Sequence, residues 1–342
     1  MVTIKDVARD AGVSVGTVSN VLNGGRVSEA RRKLVEASIE KLGYQVNTLA
    51  KGMRMQKTDY AVVILPNLIN PYFALLLDAL ESELSAVGKQ VLLCLSGDDA
   101  EREVAFMDMA KQNKVDGIIG VTYSKVEEER IENMAFVSID RHYKSHIPCV
   151  AGDNWQGGWL AAENLHKRGS TNLLCFMTMS SVDSEVRKRR VGFTEYCMEH
   201  DLSCNSVEMS EKQIVSVYES YGSRKLIHNM LRAYISPSMG EHSIDGIFTS
   251  SDHLATIVRE ELEEMGKRVP EDIQIIGYDG LQFLNQGKPI VSSIAQPVHE
   301  IAKEAVRCLN ELIANGKTEG NTKIPVSFQE GPTTKTLVTE EK

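Results

Sequence analysis

From Tyr60 onward, short apolar runs of four to six residues alternate with longer segments whose apolar residues recur at helical spacing. Few patterns restrict a fold more. A helix lying between two strands packs back on the sheet that both strands join, so the strands pair in parallel and both sheet faces are covered. The runs are Tyr60 to Leu65, Gln90 to Leu95, Gly117 to Val121 and Phe136 to Ile139, then Asn172 to Met177, Gly246 to Thr249 and Ile273 to Gly277. Phe73, Leu76, Leu77, Leu80 and Leu84 mark the apolar face of the first intervening helix. Two such series predict two doubly wound lobes. In open α/β sheets ligands sit beyond the carboxyl ends of the strands, and two facing lobes make a cleft there. Asp140, Ser251, Asp252 and Asp279 follow strands and carry the polar chemistry such a cleft needs. Asp252 also reads as the N-cap of a helix over His253 to Met265, and Asp153 and Asn154 as residues ordering a turn.

The chain has 342 residues, more than one average domain, and its first sixty are of another kind. The net charge of −9 would discourage contact with a polyanion. It is unevenly spread: residues 1–57 hold ten Lys and Arg against five Asp and Glu, the remainder 28 against 42. A basic head on an acidic body suits a protein whose first segment alone meets phosphate. Ile4, Val7, Ala8 and Ala11 give a first helix one apolar face, and Gly12-Val13-Ser14 turns the chain into a second helix from Val15 to Leu22, capped by Ser14. Val18 and Val21 can meet the small Ala8 in a close crossing. Asn23-Gly24-Gly25 ends that pair. A third helix runs from Glu29 to Leu42 between Ser28 and Gly43, with Leu34, Val35, Ile39 and Leu42 expected inward. These features predict a helix-turn-helix; a plain helical cap on the main body is the alternative.

The run from Thr3 to Ser14, continued by Thr17-Val18-Ser19-Asn20-Val21-Leu22-Asn23, resembles the LacI/GalR family of transcriptional regulators, and the resemblance extends along nearly the whole chain. It implies that Val15, Gly16 and Asn20 face bases, that Thr17 and Ser19 face phosphates, and that Thr3, Ser14 and Asn23 also lie at the DNA. Asn47 to Met55, within a hinge or linker over 47–58, correspond to that family's hinge helix, with Met53 as the minor-groove wedge and Lys51 as a neighbouring cation; a plain solvated linker is the alternative. The usual Pro, Arg and Leu are replaced here by Val46, Lys51 and Met53, and Gly52 weakens helix formation. In the body the resemblance places Asp140, Arg189, Ser251, Asp279 and Gln296 in an effector pocket, with Tyr72 and Phe73 near its mouth. Arg189 belongs to the run Arg187-Lys188-Arg189-Arg190, which reads equally as a solvated basic face; its position three before Gly192-Phe193 selects it. Asn67, Pro71 and the run Asp153 to Gly158 share the resemblance.

The expected architecture is therefore a small all-α helix-turn-helix DNA-binding domain (1–46), a hinge (47–58) and an α/β two-lobed periplasmic-binding-protein-like domain (59–342) with two doubly wound parallel sheets. The first lobe is expected to take 60–155 and 297–322, the second 156–295 and 323–337. The expected partners are double-stranded operator DNA, a small effector and a second copy of the chain. Asp140 and Asp279 as acceptors and Arg189 as a planar donor suit a sugar or sugar derivative, the expected effector, and also a nucleobase or a phosphorylated metabolite. No phosphate loop, nucleophile elbow or zinc-spaced cluster appears, so neither catalysis nor a cofactor or metal is expected. A solute-binding receptor of the same two-lobed fold is the competing reading. The six cysteines show no C-x-x-C spacing, and neither a signal peptide nor a spanning apolar stretch is evident, which leads to an expectation of a cytoplasmic protein.

Overall fold

The computed structural model describes residues 2–22, 24–44, 58–127, 130–131, 134–143, 147–179, 182–235, 243–282, 286–318 and 320–337. The chain divides into two compact units, Met1–Thr58 and Asp59–Lys342.

The small unit holds α1 (Ile4–Asp10), α2 (Val15–Leu22) and α3 (Glu29–Leu42). Val7, Ala8, Ala11, Val18, Val21 and Val35 form its core. The Ser14 hydroxyl accepts from the backbone N–H of Thr17 at 3.2 Å and caps α2. Gly43 ends α3 at φ +60°, where a side chain would be strained. On α3 the inner face is Val35, Ser38, Ile39 and Leu42, a 3.6-residue stripe; Leu34, expected inside, is 55% exposed because it lies one step of helix rotation outside that stripe. Asp10 ties α1 to α3, accepting from Ser38 Oγ at 2.9 Å and Lys41 Nζ at 2.7 Å.

The larger unit begins with β1 (Tyr60–Leu65), α4 (Pro71–Ala86), β2 (Gln90–Leu95), α5 (Ala100–Gln112), β3 (Gly117–Gly120), β4 (Phe136–Ile139) and β5 (Cys149–Gly152). A second series follows: α6 (Asn154–Lys167), β6 (Asn172–Met179), α7 (Lys188–Glu199), β7 (Ser203–Ser210), α8 (Glu211–Glu219), α9 (Lys225–Ile235), β8 (Gly246–Thr249), α10 (Asp252–Glu264), β9 (Gln274–Asp279) and β10 (Ser292–Ala295). The chain then returns with α11 (Val298–Asn315), β11 (Thr322–Ile324) and β12 (Ser327–Gln329). The first sheet has the order β11-β5-β4-β3-β1-β2, the second β12-β10-β9-β8-β6-β7. All pairings are parallel except the antiparallel edge of β12 on β10.

Alternate strand residues serve opposite faces. Ala61, Val63 and Leu65 pack with α4 and α11, whereas Val62 and Ile64 join Met107 of α5. In the second lobe Leu174 and Phe176 face α8, α9 and α10, while Leu173, Cys175 and Met177 face α6 and α7. Burial on both faces is why these strands read as unbroken apolar runs. Five strands carry no such signal. β7 is a polar edge strand, and β5, β10, β11 and β12 have only three or four residues each, rich in small and hydroxyl side chains.

Candidate functional site

In each sheet the strand order reverses between its first and third strands, β1 and β3 in one, β6 and β8 in the other. At such a point the connections leave toward opposite faces and open a crevice at the carboxyl ends. A cleft of roughly 740 Å³, counting its open mouth, lies there. The seven residues that the resemblance sets in or at the mouth of an effector pocket line it, Tyr72, Phe73, Asp140, Arg189, Ser251, Asp279 and Gln296, whereas Asp252 does not. Each comes from a strand end or the helix beyond it. Tyr72 and Phe73 open α4, where Asn70 caps the helix by accepting from Tyr72 N–H at 3.1 Å. Asp140 follows β4, Asp279 is the last residue of β9, and Gln296 follows β10.

Both aspartates are backbone outliers. Asp140 has φ +61° and Asp279 φ +120°. A non-glycine residue held there costs about 1–3 kcal/mol and persists where its surroundings over-determine it, as they do in binding sites. Burial pushes the Asp140 carboxyl up to about 6, against the pull of Arg189 and the Asn154 hydrogen bond. Burial also pushes Asp279 up, to about 7, despite Arg189 and Gln296. Gln296 Nε2 donates to Asp279 Oδ1 at 2.9 Å. That leaves Asp279 Oδ2, Gln296 Oε1 and the Tyr72 hydroxyl buried with no hydrogen-bond partner. Burial raises the Tyr72 hydroxyl well above its usual range, so it stays neutral.

Arg189, read in the sequence either as part of a solvated basic face or as a ligand arginine, is 4% exposed. Its Nε donates to Asn154 Oδ1 at 2.6 Å and its Nη1 to the Ser250 carbonyl at 2.8 Å, while its guanidinium lies 3.5 Å from the centre of the Tyr278 ring. Ser251 rather than Asp252 caps α10, accepting from Leu254 N–H at 3.1 Å, and Ser251 Oγ also pairs with the Tyr218 hydroxyl at 3.0 Å. Asp252 is instead a buried brace for the turn after β9: Oδ2 accepts from Leu281 N–H at 2.7 Å and Oδ1 from Ser293 Oγ at 2.5 Å. The bracing duty falls to Asp252 because its side chain points under β9, where a Cβ at Gly277 would come within 2.2 Å of Oδ1.

Sequence reasoning missed Tyr123, Thr178, Tyr218 and Ser250 on the cleft wall, and Tyr278 beneath Arg189. Position at a strand end would have found Tyr123, Thr178 and Ser250. The same position marks Tyr278, which directly follows the run Ile273 to Gly277, whereas nothing local marks Tyr218. Beside the cleft the lobes are joined by charge. Glu185, from a 3-10 turn ahead of α7, pairs with Lys188, with His142 beyond β4, and at 3.7 Å with Lys323 of β11. Its N–H donates to the Asp140 carbonyl at 2.8 Å. Burial works to raise the Glu185 carboxyl, and the hydrogen bonds from Lys188 and His142 outweigh it and hold it below its ordinary value.

In the small unit Ser14, Val15, Gly16 and Asn20 form the exposed side of α2, opposite the buried Val18 and Val21; Thr17 and Ser19 are half-buried. The hydroxyls of Ser14 and Thr17 pair at 3.0 Å, and Thr3 Oγ1 donates to Asp6 at 2.6 Å. A Cβ at Gly16 would touch nothing closer than Ser14 Oγ at 3.7 Å. Asn23, Lys51 and Met53 lie outside the described residues. Among the described residues no helix is long and apolar enough to cross a membrane, and no group of three or more His, Cys, Asp and Glu side chains is placed to hold a metal ion.

A helix-turn-helix with an exposed second helix, followed by a two-sheet body with a polar cleft, is the build of a DNA-binding transcription regulator. Residues 3–47 match the bacterial regulatory proteins of the lacI family, and residues 162–334 match the periplasmic binding protein-like domain. The chain is 32% identical over 332 residues to the sucrose operon repressor of Pediococcus pentosaceus, covering 96% of this chain and 98% of that one. It is 32% identical over 311 residues to the ribose operon repressor of Halalkalibacterium halodurans, covering 90% and 89%. Among solved structures, a periplasmic binding protein/LacI regulator of Alkaliphilus metalliredigens in complex with D-xylulofuranose superposes with TM-score 0.69 at 26% identity over 81% of this chain and all of that one. The lac repressor dimer bound to operator and the anti-inducer ONPF shares the fold with TM-score 0.79 at 23% identity, over 97% and 98%. This chain belongs to the LacI family and is a DNA-binding regulator of transcription.

Proposed function

We propose that the cleft binds a small polyhydroxyl metabolite, a sugar or sugar derivative, and that occupancy changes the affinity of a homodimer for a near-palindromic operator. The observation that carries this is the excess of buried acceptors. Asp279 Oδ2 and Gln296 Oε1 lack partners, and an unsatisfied buried polar atom costs about 1–3 kcal/mol. A ligand rich in hydroxyl donors relieves that cost, whereas a carboxylate or phosphate facing Asp140 and Asp279 would add repulsion. The names of the relatives, sucrose and ribose operon repressors, and the sugar-bound regulator of Alkaliphilus metalliredigens support the same class. In this reading Asp140, Arg189, Asp279 and Gln296 hold the ligand's polar edge, Tyr72 and Phe73 line its faces, and Ser251 contributes at the rim.

On the DNA side, Val15, Gly16 and Asn20 meet bases, Thr17 and Ser19 meet phosphates, and Thr3, Ser14 and Asn23 lie at the DNA, with 47–58 as hinge, Met53 as the minor-groove wedge and Lys51 at the phosphate beside it. One short helix reads too few bases for genomic specificity, so two half-sites are needed. The protein acts in the cytoplasm, without catalysis. Operator titrations at fixed salt with a panel of pentoses, hexoses and disaccharides test this. One sugar should shift operator affinity at a stoichiometry of two chains per operator. Asp279→Ala should weaken that sugar about tenfold or more while leaving operator binding in place. Unchanged calorimetric affinity in both Asp140→Ala and Asp279→Ala would place the ligand elsewhere.

A further inference from the structure

We propose that Asn154 is the positioning residue of the cleft, the side chain that sets Asp140 of one lobe and Arg189 of the other at a fixed separation and orientation. The inference rests on reading the cleft as the effector site. Asn154 opens α6 directly after the chain leaves the first lobe at β5, and it is fully buried. Its carboxamide points in two directions. Nδ2 donates to the Gly152 carbonyl at 2.9 Å and to Asp140 Oδ1 at 3.4 Å, and Oδ1 accepts from Arg189 Nε at 2.6 Å.

The residue type is dictated by that arrangement. Asp would offer two acceptors and no donor, Leu neither, and Gln would carry the amide one methylene too far. The amide also does what a direct ion pair could not. Asp140 and Arg189 have opposite charge, and contact between them would draw the lobes together and consume the groups a ligand needs. With a neutral amide between them, each keeps an edge toward the cleft. The Arg189 side is fixed further by the Tyr278 ring below it, which itself lies so close to Gly157 that a Cβ there would come within 2.7 Å of the ring.

The test exchanges the two ends of the bridge. Four full-length chains are compared by thermal melting at pH 5 and pH 8 without added ligand: wild type, Asn154→Asp, Asp140→Asn, and the chain carrying both changes. The charged groups facing Asp140 are Arg189, Glu185 and His142, with Asp279 across the cleft, and all are retained. Asn154→Asp sets a carboxylate against Asp140 and should lower the melting temperature by about 3 °C or more at pH 8. Most of that loss should return at pH 5, where the two oxygens can share a proton. Adding Asp140→Asn should restore a large part of the stability at pH 8, since amide and carboxylate have then changed places; the part not restored reflects the Gly152 carbonyl, which loses its donor in both variants. A residue that merely starts a helix is indifferent to what stands at 140. An equal loss at both pH values that the second exchange does not recover, or no loss, would overturn the proposal. Should Asn154→Asp alone fail to fold at pH 8, the doubly exchanged chain must fold there for the proposal to stand. No sugar enters the experiment, so its outcome is separate from the fate of the effector reading.

Discussion

Asp140 and Asp279 are where sequence, strain and charge meet. Each was legible as a polar residue beyond an apolar strand, yet their left-handed backbone and their shared cavity could not be read from spacing. An acid that folding raises makes the native state hold its proton more tightly than the unfolded chain does. Its stability contribution is then present at low pH and is lost as pH rises from the unfolded value near 4 through the folded one. For Asp140 and Asp279 the folded values are about 6 and about 7, so stability should decline between about pH 4 and pH 7. Asp279→Asn removes the larger part of this penalty and should flatten the decline in melting temperature between pH 5 and pH 7. An unaltered slope would mean that Asp279 titrates normally and that solvent reaches it.

At the scale of elements, the most constrained contact is the crossing of α6 and α7. A Cβ on Gly158 would stand 1.8 Å from the Arg189 carbonyl oxygen, and one on Gly192 would stand 2.0 Å from that of Trp155. Neither neighbour can give way without moving a helix backbone. The two glycines thus bring the helix axes close enough for Arg189 to reach Asn154 across the crossing. In the sequence the Gly157-Gly158 pair stood out only by resemblance, because a glycine inside a helical pattern gives no sign of which neighbour it admits. The same limit explains two misreadings. Leu34 was assigned inward because it is apolar, although the 35, 38, 39, 42 stripe had no place for it. The α10 cap was assigned to Asp252 because Asp and Ser are equal as caps and only the register decides. The apolar runs of the inner strands were legible because both faces are buried; β2 was legible by composition alone, being an edge strand with Leu93 exposed, and the polar edge strand β7 was not. Gly158→Ala should cost about 1–3 kcal/mol, the usual toll of overpacking, measured by urea unfolding of the full chain. It should also displace Arg189. A variant of wild-type stability would show that the crossing is looser than these distances state.

The larger unit as a whole is two lobes joined by three passages of chain, after β5, after β10 and between β11 and β12. Such a joint bends easily, so what holds the lobes at this opening must be contacts beside the cleft. Asn154 is one. Glu185 is another, since it stands on the second lobe, has a side chain only 1% exposed, and draws His142 and Lys323 from the first. Its partners are a third or more exposed and can be rehydrated if it is lost, which makes the contact reversible rather than permanent. It also neighbours the ligand groups directly, through its N–H on the Asp140 carbonyl and through the turn that leads into α7 and Arg189. An opening of the lobes would therefore break the Glu185 contacts and part Asp140 from Arg189 together. Glu185→Gln keeps the shape and removes the charge. Hydrogen bonds to charged groups contribute about 1.5–3 kcal/mol, so this change should cost stability of that order or less and shift the lobes toward a more open arrangement. Small-angle scattering of residues 59–342 should then give a larger radius of gyration for the variant than for the parent. An identical scattering curve, with stability lowered all the same, would make Glu185 a brace within one closed form and leave the setting of the cleft to Asn154.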